Sequence, residues 1–176
     1  MTRPDPWVSR HLDLVRDGGE VLDIAAGSGR HTALALGMGL RVLAVDRDVA
    51  ALEAIPAHDR LEVMQADLEA GSSPLQGRSF DGIIVCNYLW RPLFPLVSKA
   101  LKPGGILIWT TFAAGNERFG RPRNPDFLLQ RNELLDAFTH ELEVIAFADG
   151  ERAGPSPAVR QSIVARRAVV DRGGAG

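Results

Sequence analysis

Three aspartates stand at or near the ends of the first three apolar runs of the chain: Asp23 in VLDIAAGSG, Asp46 in VLAVDRD and Asp67 in VMQADLEAG. A carboxylate can accept two hydroxyl hydrogen bonds from a ribose, and it attracts an ammonium or sulfonium group. Each acid could instead cap a helix or a turn, where aspartate is common. Taken together, the row of acids favours an adenosine that carries a cationic tail.

A glycine loop follows the first of these runs. Gly27 and Gly29 in GSGRHTALALG would bring the backbone close to a ligand, and they fill the first two positions of a dinucleotide fingerprint. The third position is Thr32, where glycine or alanine is expected, and Asp23 would repel a diphosphate. An NAD-dependent oxidoreductase is therefore the less favoured alternative.

Strands and helices must position these residues. Five apolar runs bounded by Gly, Asp or Pro predict buried strands, at residues 21–26, 41–45, 61–66, 80–86 and 105–112. Helical patterns lie before, between and after them, at residues 7–15, 30–38, 49–55, 91–101 and 131–138. Alternating strands and helices predict a parallel sheet that is covered on both faces.

The last two strands are predicted to form a hairpin. The segments LEVIAFADG and VRQSIVARRAV are joined by ERAGPSPA, which is too short for a helical crossover. We therefore expect an α/β fold with a Rossmann-like, doubly wound, mostly parallel seven-stranded sheet and an antiparallel last strand. Residues 68–79 are expected to be mostly loop, residues 1–168 a single domain with an N-terminal helix, and residues 169–176 a disordered tail.

The composition limits the classes of function. The chain has 176 residues, a formal net charge of −2 and no long run of Lys or Arg, which disfavours a nucleic-acid partner. Its single cysteine, Cys86, excludes an internal disulfide framework and a cysteine-rich metal site. The N-terminus lacks the apolar core of a signal peptide, and no stretch approaches the roughly 18 apolar residues of a membrane span. We expect a cytoplasmic protein with no metal and no membrane partner; the oligomeric state is left open.

Five motifs in order resemble the class I S-adenosylmethionine (SAM)-dependent methyltransferases over residues 7–168. They are VLDIAAGSG, VLAVDRD, QADLEAG, FDGIIVCNYL and LKPGGILIWTTF. The late hairpin is similar to the antiparallel seventh strand of that family. GSGRHTALALG further resembles small bacterial methyltransferases of the tellurite-resistance type.

The resemblance implies SAM as cofactor and methyl transfer to a small-molecule acceptor. The expected cofactor-binding residues are Asp23, Ala25, Gly27, Gly29, Arg30, Asp46, Arg47, Asp67, Leu68 and Cys86. Arg30 could pair with the cofactor carboxylate or with Asp23, and Cys86 is expected to be a small buried residue and not a nucleophile. Ala25 departs from the family motif, which has glycine there, and we expect little loss from it.

Three residues are the candidates for the methyl-transfer position. Asn87 and Tyr88 follow the fourth strand, and His31 follows the glycine loop. Because the cofactor carries the reactivity, the protein must mainly align the acceptor and exclude water, and a general base is needed only for a protonated acceptor. His31 could instead cap and pack its helix.

A long segment after the fifth strand, AAGNERFGRPRNPDFLLQRNELL, is predicted to form a lid with the N-terminal helix. The expected acceptor-facing residues are His11, Trp90, Arg91, Asn116, Phe119, Arg121 and Arg123. Arg121 and Arg123 favour an anionic or planar acceptor. The alternative for this segment is a surface brace with solvated arginines, and the alternative for the whole chain is a non-catalytic SAM-binding regulatory protein.

Overall fold

A single seven-stranded sheet organises the protein in a computed structural model that describes residues 3–70 and 75–169. The strands are β1 (Glu20–Ile24), β2 (Arg41–Asp46), β3 (Leu61–Gln65), β4 (Phe80–Cys86), β5 (Leu101–Phe112), β6 (Leu142–Arg152) and β7 (Ala158–Arg167). Their spatial order is β3-β2-β1-β4-β5-β7-β6. Neighbours from β3 to β5 are parallel, whereas β5 with β7 and β7 with β6 are antiparallel. The predicted fold class is confirmed.

Short helices cover both faces of this sheet. They are α1 (Pro6–His11), α2 (Arg30–Gly37), α3 (Leu93–Ala100) and α4 (Glu133–Phe138), with 3-10 turns at Leu12–Leu14, Asn116–Arg118 and Pro125–Phe127. One face packs Phe80, Trp109 and Phe138, and the other packs Val8 and Leu36. All seven residues of β4 are buried, which explains why the central strands are continuous apolar runs in the sequence.

Two helix predictions need correction. Residues 49–55 form consecutive turns instead of a helix, because Asp48 accepts the backbone N–H of Ala50 and so offers the chain a local alternative to helical bonding. The N-terminal helix ends at His11, earlier than predicted, and continues only as a 3-10 turn. The loop prediction for residues 68–79 and the tail prediction for residues 169–176 fall partly outside the described residues.

The carboxylate of Asp81 fastens the amino ends of the strands. It accepts bonds from Arg16 Nε at 2.6 Å, from Lys102 Nζ at 2.9 Å and from the backbone N–H of Glu20 at 2.8 Å. Burial alone would raise the pKa of Asp81, but these three donors together lower it to about 2. The ionised form is therefore built into the folded state.

We expect Asp81→Asn to destabilise the protein at pH 7 by on the order of 2 kcal/mol. Because the folded pKa lies below the unfolded one, this contribution is complete above about pH 4 and disappears as the pH falls towards 2. Urea unfolding of wild type and variant at several pH values measures it, with the exposed Asp17→Asn as control. A stability loss that stays constant down to the lowest pH would contradict this assignment.

Candidate functional site

The carboxyl ends of the parallel strands meet at one edge of the sheet, where the loop after β1 crosses the end of β2. Ala26 N–H donates to the carbonyl of Val45 at 3.0 Å, and Gly29 N–H donates to that of Ala26 at 2.9 Å. Ala25 lies in the left-handed region with φ of 53°, so the alanine that replaces the family's glycine is held in a conformation that costs an L residue about 1 kcal/mol. The substitution is less neutral than the sequence suggested.

The two loop glycines have different roles. A Cβ on Gly27, where φ is 54°, would meet nothing nearer than the Ala25 carbonyl at 3.9 Å, so the space over this residue is open. A Cβ on Gly29 would lie 2.6 Å from Ile55 and 2.9 Å from Leu52. Gly29, with φ of 71°, is therefore favoured by its left-handed backbone and by its close approach to residues 49–55, and of the two glycines only Gly27 is exposed to a ligand.

Two acids lie at the ends of the neighbouring strands β2 and β3. Asp46 accepts the backbone N–H of Gly27 at 2.7 Å through Oδ2 and that of Asp48 at 3.0 Å through Oδ1. Asp67 accepts the N–H of Glu69 at 2.9 Å, next to the buried side chain of Leu68. Each carboxylate oxygen keeps a second acceptor position. Asp46 thus fastens the glycine loop and remains able to bind hydroxyl groups.

Asp23 lies under the loop and not on its surface. Its side chain is buried and accepts the hydroxyl of Thr32 at 2.7 Å and the backbone N–H of the same residue. Desolvation raises the pKa of Asp23 to about 6, against the opposing effects of Thr32 and Arg30. The prediction that Asp23 faces a bound cation is replaced by a role as the long-range cap of α2, and Thr32 is the residue that holds it.

Arg30, at the start of α2, reaches the same edge. Its Nη2 lies 3.5 Å from Cys86 Sγ at the end of β4. Burial raises the pKa of Cys86, so the thiol stays protonated and the expectation of a small buried residue fits the structure. Arg30 also lines the large cavity described below.

The structure corrects the prediction of His31 as a catalytic residue. Its Nε2 accepts the backbone N–H of Asp5 at 3.0 Å, and burial followed by Arg30 lowers its pKa to about 4. A neutral ring that accepts at Nε2 carries its proton on Nδ1, so it has no lone pair left to take a proton. His31 anchors the N-terminal segment instead.

Asn87 and Tyr88 follow β4 as predicted. Asn87 has φ of 58°, donates its N–H to Thr110 at 3.0 Å and accepts Arg160 Nη2 on its Oδ1 at 2.7 Å. The Tyr88 hydroxyl donates to Glu69 at 3.2 Å, and burial followed by Glu69 raises its pKa. Tyr88 is therefore a hydrogen-bond donor at neutral pH and not a base.

A cavity of about 1010 Å³ adjoins this edge. It lies between the N-terminal segment, the end of β5, the turn at residues 119–121 and the β6–β7 turn. Its charged lining comprises Arg3, Asp5, Arg30, Arg121, Arg152 and Arg160. Arg152 and Arg160 were not predicted from the sequence, because β7 also carries Gln161, Arg166 and Arg167 and no local pattern distinguishes Arg160 from them.

The predicted lid residues divide into two groups. Phe119 and Arg121 line the cavity, whereas His11, Trp90, Arg91 and Arg123 are not among its lining residues. Arg91 pairs with Glu133 and donates to the carbonyls of Asp126 and Leu128.

Asn116 touches the cavity, but its side chain is buried and its polar atoms bond Pro122 and Val159. We therefore correct the acceptor-facing expectation for Arg91 and Asn116: both hold the segment in place, as the alternative for this segment proposed. Within residues 3–70 and 75–169, no helix is long and apolar enough to cross a membrane, and no cluster of metal ligands occurs.

Comparison with known proteins agrees with this geometry. The family model for a methyltransferase domain matches residues 21–105. The ribosomal protein L11 methyltransferase of Sorangium cellulosum is 30% identical over 96 residues, which is 52% of this chain and 30% of the relative. An uncharacterized methyltransferase of Mycobacterium tuberculosis is 31% identical over 126 residues, 64% of this chain and 47% of the relative. The chain spans less than half the length of these two relatives.

Solved structures share the fold at low identity. TehB from Haemophilus influenzae superposes with a TM-score of 0.77 at 16% identity, covering 95% of this chain and 63% of that one. The 1,6-didemethyltoxoflavin-N1-methyltransferase of Burkholderia thailandensis, solved with bound 1,6-didemethyltoxoflavin and S-adenosylhomocysteine, gives a TM-score of 0.68 at 22% identity, covering 92% of this chain and 76% of that one. The [4+2]-cyclase SpnF gives 0.68 at 17%, covering 92% and 81%.

The fold, the motif order and the match of the methyltransferase-domain model over residues 21–105 all agree with the class I SAM-dependent methyltransferase resemblance. SAM is the cofactor of this family, and the resemblance stated from the motifs is confirmed. The TehB similarity agrees with the tellurite-resistance-type resemblance at the level of the fold.

We expect Asp23→Asn to become more stable relative to wild type as the pH rises. The pKa of Asp23 is higher in the folded state than in the unfolded state, so the free energy of unfolding of wild type falls between about pH 4 and pH 6, by on the order of 3 kcal/mol in total. The Asp23→Asn variant, whose amide does not titrate, does not show this loss. Urea unfolding at pH 4 and pH 7 measures this, with the exposed Asp136→Asn as control. A difference that does not change with pH would contradict the buried-cap role.

Proposed function

We propose that the chain catalyses methyl transfer from SAM to a small-molecule acceptor. The observation that carries this is the neighbourhood of two sites at one sheet edge. Gly27 has an open backbone and donates to the acid of β2, and Arg30, three residues further along the same loop, lines the large cavity. A cofactor site beside an acceptor-sized space is what a group-transfer enzyme requires.

The residues present fit the cofactor. Asp46 would bind the ribose hydroxyls, Asp67 and Leu68 would flank the adenine, and Arg30 would pair with the methionine carboxylate. Arg47, next to Asp46, and Cys86, at the end of β4, border this site and remain contact candidates. The open space over Gly27 supports this fit, because a side chain there would fill the approach to the loop. The cofactor supplies a methyl group on a sulfonium, which makes strong nucleophilic activation by the protein unnecessary.

The protein's contribution is then orientation and exclusion of water. The imidazole of His31 is neutral and bonded, the Tyr88 hydroxyl stays protonated, and the Cys86 thiol is buried. None of these three groups is poised to remove a proton at neutral pH. We infer that the acceptor atom has a lone pair available when it binds, and that Asn87, held by Arg160, helps to orient it.

Two alternatives make different predictions. The fold alone does not fix the reaction, since a [4+2]-cyclase shares it, so a non-catalytic or differently active SAM-binding protein is the second candidate. An NAD-dependent oxidoreductase is disfavoured, because the buried Asp23 leaves a negative charge under the loop that a diphosphate would occupy. Cytoplasmic location and single-domain organisation stay predictions.

Calorimetry with S-adenosylhomocysteine and with NADH separates these candidates. We expect micromolar binding of S-adenosylhomocysteine and no binding of NADH; the absence of S-adenosylhomocysteine binding would overturn both SAM-dependent proposals. A screen of small metabolites with methyl-labelled SAM then tests turnover. Cofactor binding without labelled product across the screen would favour the non-catalytic protein.

We expect Asp46→Asn to weaken S-adenosylhomocysteine binding about tenfold or more, because charge-assisted bonds to the ribose are lost; the single amide oxygen can still accept the Gly27 N–H, but the Asp48 N–H loses its acceptor. Affinity for 5′-methylthioadenosine, which carries the same ribose but no amino-acid tail, should fall by a similar factor. Asp59→Asn, whose side chain is 99% exposed, is the matched control. Unchanged affinity for both nucleosides would exclude the ribose role.

A further inference from the structure

The β6–β7 hairpin contributes two arginines to the wall of the large cavity. Arg152 ends β6 and Arg160 lies near the start of β7, and both line the cavity. Among the described lining residues, five arginines face a single carboxylate, that of Asp5. The cavity therefore has a strong excess of positive charge.

Arg160 is the most constrained of these cations. Only 8% of its surface is exposed. Its Nη2 donates to Asn87 Oδ1 and to the Thr110 carbonyl, and its guanidinium lies 4.6 Å from the centre of the Phe112 ring. Its Nε is buried without a hydrogen-bond partner among the described residues. A buried cation with an unused donor is costly unless an anion completes it.

Asp5 supplies only part of the missing charge. Its Oδ2 lies 3.5 Å from Arg152 Nη1 and 3.8 Å from Arg160 Nη2, which is longer than a direct charge-assisted bond. Its Oδ1 is committed to the N–H of Trp7 as the cap of α1. Among the described lining residues this one carboxylate is shared, at long distance, by both guanidinium groups, so their positive charge is only partly balanced.

Hydroxyl groups hold Arg152 in place. Its Nη2 donates to Ser162 at 2.6 Å and to Thr110 at 3.3 Å, and these two hydroxyls bond each other at 2.7 Å. Ser162 and Thr110 are buried. The cationic wall is therefore fixed before any ligand arrives, which reduces the entropy that binding must overcome.

We propose that Arg160 and Arg152 form the recognition site for the carboxylate of a small organic acid with a planar apolar body, the acceptor of the methyl group. The inference rests on the proposed methyl transfer. Phe112 and Phe119 line the same cavity and offer apolar surface to the body of such a molecule. Arg121, on the lid side, adds a third cation.

The shared chemistry, a carboxylate bound by arginine, could also come from the amino-acid tail of the cofactor. Arg30 directly follows the glycine loop and also lines the cavity, so it is the residue that we assign to that tail. Comparison of S-adenosylhomocysteine with 5′-methylthioadenosine distinguishes the two sources. Arg30→Gln should weaken the binding of S-adenosylhomocysteine but not that of 5′-methylthioadenosine. Arg160→Gln should leave the affinity for both compounds unchanged.

The acceptor site is tested by titrating benzoate and its neutral analogue benzamide into the protein saturated with S-adenosylhomocysteine, followed by calorimetry or ligand-observed NMR. Wild type should bind benzoate at least tenfold more tightly than benzamide, as expected for charge-assisted bonds. Arg160→Gln and Arg152→Gln should each remove most of that preference. Arg166→Gln, on the same strand and face as Arg160 but at its far end, is the matched control.

Each outcome is decisive. If wild type binds S-adenosylhomocysteine but does not prefer benzoate, the recognition site is refuted and the methyltransferase proposal stands. If wild type does not bind S-adenosylhomocysteine, the proposed function fails first. If Arg160→Gln weakens S-adenosylhomocysteine but not 5′-methylthioadenosine, Arg160 binds the cofactor tail and the inference is overturned. Should Arg160→Gln not fold, Arg152→Gln decides, since its side chain is 31% exposed and outside the core.

Discussion

Asp5 holds the site together by joining three parts of the molecule that are distant in sequence. Its backbone N–H binds His31 at the start of α2, its Oδ1 caps α1, and its Oδ2 faces Arg152 and Arg160 of the β6–β7 hairpin. The large cavity lies where these parts meet. The N-terminal segment is thus a wall of the site and depends on a neutral histidine to accept its N–H, which explains why His31 is buried and cannot serve as a base.

The turns that build the carboxyl edge require backbone that is unusual for their residues. Ala25 and Asn87 directly follow β1 and β4, and both have φ near 55°. Asparagine tolerates this region, while alanine does so at a cost. The resulting geometry joins the edge laterally, since Ala26 bonds Val45 of β2 and Asn87 bonds Thr110 of β5. Such positions are common at functional sites, where the surrounding structure enforces them.

Much of the fold could be predicted because hydrophobic runs and turn residues are local signals. All seven strands and the antiparallel hairpin followed from them. Residues 49–55 could not be predicted correctly, since an aspartate turn competed with the helical pattern. Asp46 and the loop glycines were recognisable by spacing, but the burial of Asp23 depends on Thr32 folding back over it, which no local pattern encodes. Arg152 and Arg160 were not predicted for a similar reason: an arginine in a strand can be assigned to the site only when the order of strands in the sheet shows that it lies beside Asn87.

The bond between Arg160 and Asn87 connects recognition to chemistry in this arrangement. Arg160 lines the cavity and donates through Nη2 to Asn87, so an anion bound by its guanidinium acts on the group that holds Asn87 in place. With His31, Tyr88 and Cys86 all unsuited to remove a proton, orientation is the main means left to this site for promoting transfer. Because Arg160 would bind the acceptor on one side and Asn87 on the other, binding of the acceptor at this arginine would also align it with the group that orients it for methyl transfer.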